Sequence, residues 1–258
     1  RTSATPVQII RAVLTLPVDL LWNGGIGTYV KATAESQAQI GDRANDALRI
    51  NGAELRAKVV GEGGNLGMSQ LGRVEYALQG GRLNTDFIDN SAGVNTSDVE
   101  VNLKILLNPA VLAGSLHLQD RDRLLTRMTG DVATLVLRNN YLQSQALSTL
   151  EGQSVSRLPE HQHLIRQLER SVDLNRRIEF LPDDEALAER HKQSRGLTRP
   201  ELAVLLSYSK IWLNHHLVHS DVPEDPYLSR ELQRYFPQAV RSRFARAIGR
   251  HRLRREII

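Results

Sequence analysis
Lys58-Val-Val-Gly-Glu-Gly-Gly-Asn65 and, after a helical spacer, Asn84-Thr-Asp-Phe-Ile-Asp-Asn90-Ser-Ala-Gly93-Val-Asn-Thr-Ser97-Asp-Val-Glu100 decide the reading of this chain. Twice a short apolar run ends in a corner of glycine and asparagine. An apolar run of that length, stopped by glycine, reads as a strand of a parallel sheet buried on both faces. Glycine permits positive φ and removes the Cβ that would hold a ligand away from the backbone. Ligands of open parallel sheets sit beyond the carboxyl ends of the strands, where Glu62 to Asn65 and Asn90 to Gly93 fall. An asparagine carries both a donor and an acceptor, which match a carboxamide such as that of nicotinamide. The plainer alternative is that each asparagine only hydrogen-bonds its own turn.

Upstream, Val18 to Trp22 reads as another strand ending in the corner Asn23-Gly24-Gly25, and Thr5-Pro6 opens a short helix. Ala34 to Ala47 is polar and helix-compatible, Asn51-Gly52 marks a turn, and a helix is expected from Met68 to Leu78. This succession of strands, corners and helices describes the latter half of a doubly wound sheet. Downstream the pattern is helical. Ser97-Asp-Val-Glu100 fits a capping box ahead of a helix that Asn108-Pro109 should stop, and Leu124 to Leu150 keep helical spacing over a single long helix with Gly130 as its weak point. A joint is expected at Gly152 to Pro159, and Thr198-Arg-Pro-Glu201 fits a second capping box. The fold class is therefore α/β, a partial doubly wound, Rossmann-like parallel sheet over residues 1–96 followed by a mainly α-helical C-terminal region over residues 97–258.

The chain has 258 residues, 41% of them hydrophobic, enough for a substantial core. Its 33 lysines and arginines against 29 aspartates and glutamates leave a small, interspersed excess that does not argue for nucleic acid. Cysteine is absent, so there is no disulfide framework or thiolate chemistry, and a cytoplasmic location fits. No apolar run approaches the roughly 20 residues of a membrane span. The first residue, Arg1, is not a methionine, and Arg254-Arg-Glu-Ile-Ile258 carries no helix stop; both suggest a piece of a longer protein.

The two corners also carry a resemblance. Glu62-Gly-Gly-Asn65 with Asn90-Ser-Ala-Gly-Val-Asn-Thr-Ser97 resembles the late-sheet motifs of amino-acid dehydrogenases acting on glutamate, leucine, phenylalanine and valine. Trp22-Asn-Gly-Gly-Ile-Gly-Thr-Tyr-Val-Lys31, Asn84 to Val101 and Leu197-Thr-Arg-Pro-Glu-Leu-Ala-Val-Leu-Leu206 are, more narrowly, similar to the large bacterial NAD-specific glutamate dehydrogenases. The commoner pattern differs at Gly64, Leu66, Ser91 and Ala92. The resemblance implies NAD as cofactor, with Glu62, Gly63, Asn65 and Asn90 on its nicotinamide side. It implies Val94 and Ser97 at the substrate, the serine meeting a side-chain carboxylate. It further implies L-glutamate and 2-oxoglutarate as substrate and product, and a homo-oligomer. The family's catalytic lysine and aspartate find no match here, so this stretch by itself is expected to be inactive. A dehydrogenase for an apolar amino acid and a non-catalytic helical assembly or regulatory module are the alternatives.

Three other features read as ordinary. Gly24-Gly-Ile-Gly27 and Gly61-Glu-Gly-Gly64 do not complete a phosphate-binding fingerprint. His215, His216 and His219 suit a helix C-terminus better than a metal. The arginines from Arg241 to Arg255 suit a solvated face or subunit contact better than nucleic acid.

Overall fold
The computed structural model describes residues 3–258, so Arg1 lies outside the described residues. Strand β1 (Leu20–Asn23), β4 (Val59–Glu62) and β5 (Arg82–Leu83) form a parallel sheet in the order β1-β4-β5, with Leu20 opposite Val59 and Val59 opposite Arg82. Between β1 and β4 the chain makes a two-stranded parallel sheet from β2 (Val30–Lys31) and β3 (Ile50–Asn51). Helix α1 (Pro6–Leu14) precedes the sheet, α2 (Gln37–Ile40) lies between β2 and β3, and α3 (Gln70–Leu78) joins β4 to β5. The remaining described chain is helical: α4 (Asp86–Asp89), α5 (Ser91–Leu112), α6 (Leu118–Arg127), α7 (Thr129–Gly152), α8 (Leu158–Ser171), α9 (Asp184–Lys192), α10 (Arg199–Val218), α11 (Ser229–Tyr235), α12 (Gln238–Arg241), α13 (Ala245–Ile248) and α14 (Arg254–Ile257). The α/β class expected from the sequence is thus the observed one.

Strand pairing alternates the side chains between two faces. Leu21, Val60 and Leu83 join Val30, Ile50, Met68 and Tyr76 in one apolar core. The other face carries Leu20, Trp22 and Val59, which stay 55%, 59% and 37% exposed. The expectation of strands buried on both faces is therefore corrected, because no apolar layer among the described residues closes over that second face.

Two compact units emerge: the chain up to Ser91 with Gln143–Ser209, and Ala92–Leu142 with Lys210–Ile258. This division differs from a cut between residues 96 and 97, since α8 and α9 belong with the sheet. The second unit has its own core, in which Leu103, Leu107, Met128, Val136, Phe236 and Ile248 are buried.

Several helices depart from their expected bounds. Helix α5 begins at Ser91 and passes through Pro109 to Leu112, so the proline costs one backbone hydrogen bond without ending the helix. The single long helix is two helices, broken at Met128, whose amide bonds to the carbonyls of Leu124 and Leu125 while its side chain enters the core. The break lets both helices direct apolar residues into one cluster. At 24 residues, α7 is about 36 Å long rather than the roughly 45 Å of an unbroken helix. Most of Ala34 to Ala47 is not helical. Gly41, at φ +77°, ends α2, and the buried Arg49 side chain gathers the loop by donating to the carbonyls of Thr28 at 2.8 Å and Asp42 at 2.6 Å. The second capping box is present on its glutamate side: the Thr198 amide donates to Glu201 Oε2 at 2.7 Å.

Candidate functional site
The corner after β4 is organised by buried charge. Glu62, 1% exposed, accepts from Arg73 Nε at 2.6 Å and Nη2 at 2.9 Å, and Arg73 Nη2 also reaches Asp86 at 3.0 Å. Arg73 comes from α3, Asp86 from the first turn of α4, and Glu62 from the last position of β4, so the cage ties all three elements together. Burial pushes the Glu62 carboxyl above its ordinary value against the pull of Arg73. Burial also works against the charge on Arg73, but Glu62 and then Asp86 outweigh it and hold the guanidinium protonated.

The acids of α4 also grip the backbone of the corner. The Glu62 amide donates to Asp89 Oδ2 at 2.9 Å, and the Leu66 amide donates to Asp86 Oδ2 at 2.8 Å. Leu66 takes φ +57°, a left-handed conformation uncommon for a non-glycine residue, and its carbonyl accepts from the Thr28 hydroxyl at 2.8 Å. Between these two grips Asn65 is turned outward.

Asn90 Nδ2 donates to Asn65 Oδ1, and at 3.4 Å it also reaches the Gly64 carbonyl. The loop after β4 and the junction of α4 with α5 therefore meet at these two side chains; the expectation that Asn90 to Gly93 lie beyond a strand end is corrected, because Asn90 closes α4 and Ser91 to Gly93 open α5. Among the described residues, no hydrogen bond engages Asn65 Nδ2 or Asn90 Oδ1, which leaves one donor and one acceptor on the paired amides. That set is complementary to a primary carboxamide.

The glycines have a second reason to be glycine. A Cβ on Gly61 or Gly63 would come within 2.6 Å and 2.5 Å of the Trp22 indole, which lies along one side of both residues. One on Gly64 would fall 2.3 Å from the Gly25 carbonyl oxygen. The corner after β1 thus packs directly on the corner after β4, with Trp22 against Gly61 and Gly63.

Val94 and Ser97 lie three residues apart on α5, on neighbouring positions of one helix face, and both are exposed. The capping reading of Ser97 is overturned: it stands nearly two turns inside α5, and its hydroxyl donates to the Gly93 carbonyl at 3.4 Å. No helix N-terminus therefore stands at this hydroxyl.

Reading the sequence missed Arg73, Asp86, Asp89 and Asn84. The signals were a lone arginine on the apolar side of α3 and two acids three residues apart ahead of Asn90. Elsewhere, His216 and His219 donate Nδ1–H to the carbonyls of Trp212 at 2.8 Å and His215 at 2.7 Å, one helical turn back. Part of the basic run closes helix ends: Arg255 donates to the Val218 carbonyl at 3.0 Å and Arg241 to the Arg234 carbonyl at 3.0 Å. The expectation of a purely solvated face or subunit contact is corrected to that extent. No helix among the described residues is long and apolar enough to cross a membrane.

The family model for the catalytic domain of bacterial NAD-glutamate dehydrogenase matches residues 1–150, and the model for the glutamate dehydrogenase C-terminal region matches residues 194–258. Among curated proteins, the NAD-specific glutamate dehydrogenase of Pseudomonas aeruginosa is 56% identical over 253 residues, 98% of this chain and 16% of that protein. Proteins of the same name from Halomonas elongata and Mycobacterium tuberculosis are 50% and 49% identical, each again over 98% of this chain and 16% of its own length. The chain thus spans about 16% of the length of the curated relatives it matches. With the family match covering more than half of the sequence and both motif-bearing corners, the chain belongs to the bacterial NAD-glutamate dehydrogenases.

Proposed function
We propose that this chain supplies the nicotinamide-side corner of an NAD-dependent glutamate dehydrogenase, which converts L-glutamate to 2-oxoglutarate and ammonia. The observation that carries the reading is the meeting of Asn65 and Asn90, with one donor and one acceptor left over at the end of a parallel strand. Bound there, NAD would supply the hydride acceptor. Asn65 and Asn90 would hold and orient its carboxamide, and the exposed Gly63 would offer its backbone. Glu62 would act through its ion pair, which fixes where the corner stands.

Val94 and Ser97 enter the same proposal as substrate contacts. Both are exposed on one face of α5, and a serine hydroxyl suits a carboxylate where an apolar side chain would suit a methyl group. The assignment of residues 1–96 to the cofactor-binding domain, the homo-oligomer and the cytoplasmic location belong to the same reading. So does the expectation that these 258 residues alone show no turnover, because the family's catalytic lysine and aspartate have no counterpart in them.

The test uses the full-length protein that carries this chain. Asn90→Ala is expected to raise KM for NAD about tenfold, the loss of one good hydrogen bond. Ser97→Val is expected to raise KM for glutamate and to relax selection against apolar amino acids. Unchanged constants in both variants, or a wild-type preference for leucine or valine, would sink the assignment.

A further inference from the structure
We infer that Arg199, from the first turn of α10, is a positioning residue for the cofactor corner, acting through Asn84 and Asp89. This rests on the proposed cofactor reading and deepens it. Arg199 Nε donates to Asn84 Oδ1 at 2.6 Å, Asn84 Nδ2 donates to Asp89 Oδ1 at 2.6 Å, and Asp89 Oδ2 accepts the Glu62 amide at 2.9 Å. Three consecutive hydrogen bonds thus run from a residue 115 positions beyond Asn84 to the backbone where β4 enters the corner. Each bond in such a chain polarises the next, and two of its members, the Arg199 guanidinium and the Asp89 carboxylate, are charged groups.

The far side of the guanidinium is fixed as firmly. Nη1 donates to Ser148 Oγ at 3.1 Å and Glu151 Oε2 at 2.9 Å, and Nη2 donates to the Ser144 carbonyl at 3.1 Å. All these partners are in the C-terminal part of α7. The planar fork of arginine satisfies two directions at once, which the single ammonium of a lysine cannot reproduce. A further hydrogen bond at 3.2 Å from Gln70 to the Pro200 carbonyl holds the start of α10 beside α3. Arg199, Asn84 and Asp89 also line one cleft of about 700 Å³ with Trp22 and Gly61, so the relay borders the exposed face of the sheet. Arg199 lies in the segment matched by the C-terminal family, whereas Asn84, Asp89 and Glu62 lie in the segment matched by the catalytic family. Through Arg199 the C-terminal sequence sets the geometry of the corner.

The experiment compares wild type, Arg199→Lys, Arg199→Ala, Asn84→Ala and the Arg199→Lys/Asn84→Ala pair in the full-length protein. A general structural role would lower the active fraction, and so kcat, with KM for NAD unchanged. The relay instead requires KM for NAD to rise about tenfold in Arg199→Lys and Asn84→Ala, with KM for glutamate within about twofold of wild type. In the double variant the lysine substitution should add nothing further. Arg166→Lys serves as the control, since this arginine of α8 pairs with Asp184, touches no member of the relay and should leave KM for NAD unchanged. Amide hydrogen exchange over residues 59–67 gives a readout independent of turnover and should accelerate in Arg199→Lys but not in Arg166→Lys. Unchanged exchange in Arg199→Lys, or effects of Arg199 and Asn84 that simply multiply, overturns the relay. A wild-type protein without NAD-dependent glutamate oxidation overturns the dehydrogenase reading instead, while the exchange data still decide the relay.

Discussion

The sheet-bearing unit and the second helical unit solve the same problem with opposite chemistry. Where β4 meets α3 and α4, the chain is fixed by Glu62, Arg73 and Asp86, three charged side chains removed from solvent. In the second unit Leu103, Leu107, Met128, Phe236 and Ile248 close on one another, and the charges move to the helix ends. An aliphatic cluster tolerates small changes of shape as long as volume is kept. A buried ionic cage does not, because each member left unpaired carries its full desolvation cost. The rigid, direction-dependent solution stands at the loop that carries Asn65, where the proposed cofactor site asks for atomic placement, and the tolerant one in the second unit.

The contrast breaks most clearly by truncation. Arg73→Ala leaves Glu62 buried beside Asp86 without its counter-charge and is expected to cost about 3–5 kcal/mol, read as lost exchange protection in β4. Phe236→Ala is expected to cost a similar amount, about 3–5 kcal/mol, through the cavity it leaves. Shape-conserving changes should then separate the two. Phe236→Leu should recover much of the loss, whereas Arg73→Lys should recover little, because one ammonium cannot serve Glu62 and Asp86 together. Equal recovery at both positions would erase the distinction.

A smaller effect is expected from Gly64→Ala, about 1–3 kcal/mol, because the new methyl group meets the backbone carbonyl of Gly25. Gly61→Ala should cost less, since what it meets is the Trp22 ring, which can swing outward. A Gly61→Ala cost equal to that of Gly64→Ala would show that the indole is as fixed as backbone.

The smallest effect lies outside both cores. The Tyr208 hydroxyl donates to Glu179 at 2.6 Å, and this bond, with burial, pushes the phenol up to about 12. The fold favours the protonated phenol, so its contribution is complete below pH 10 and disappears as pH rises through about 12. Melting temperatures should fall less steeply above pH 10 in Tyr208→Phe than in wild type. Parallel alkaline profiles would remove the contribution.

The same contrast explains what could be read in advance. Apolar patterning located most of the helices and the ends of β1 and β4, because burying a stripe leaves a repeating mark in the sequence. Asn65 was legible as a corner residue from the glycines around it, whereas Asn90 was read as the end of a strand and instead closes the short helix α4. Arg73 was not, since an isolated arginine in a helix usually faces water, and its partner Glu62 lies on another element. The start of α5 was misplaced for a similar reason. Ser97-Asp-Val-Glu100 has the local form of a cap, but helix was already under way from Ser91. Nor could Met128 be seen as a break, because an apolar residue fits the interior of a helix as well as a turn between two. Arg199 appeared within a recognisable motif, yet its reach to Asn84 depends on a fold that brings distant segments together.

Trp22 carries a practical consequence. Its indole lies against Gly61 and Gly63 while more than half of its surface faces outward. The chain therefore has a fluorophore touching the very backbone whose shape is in question. Its emission should register any displacement of that bend without a label being attached.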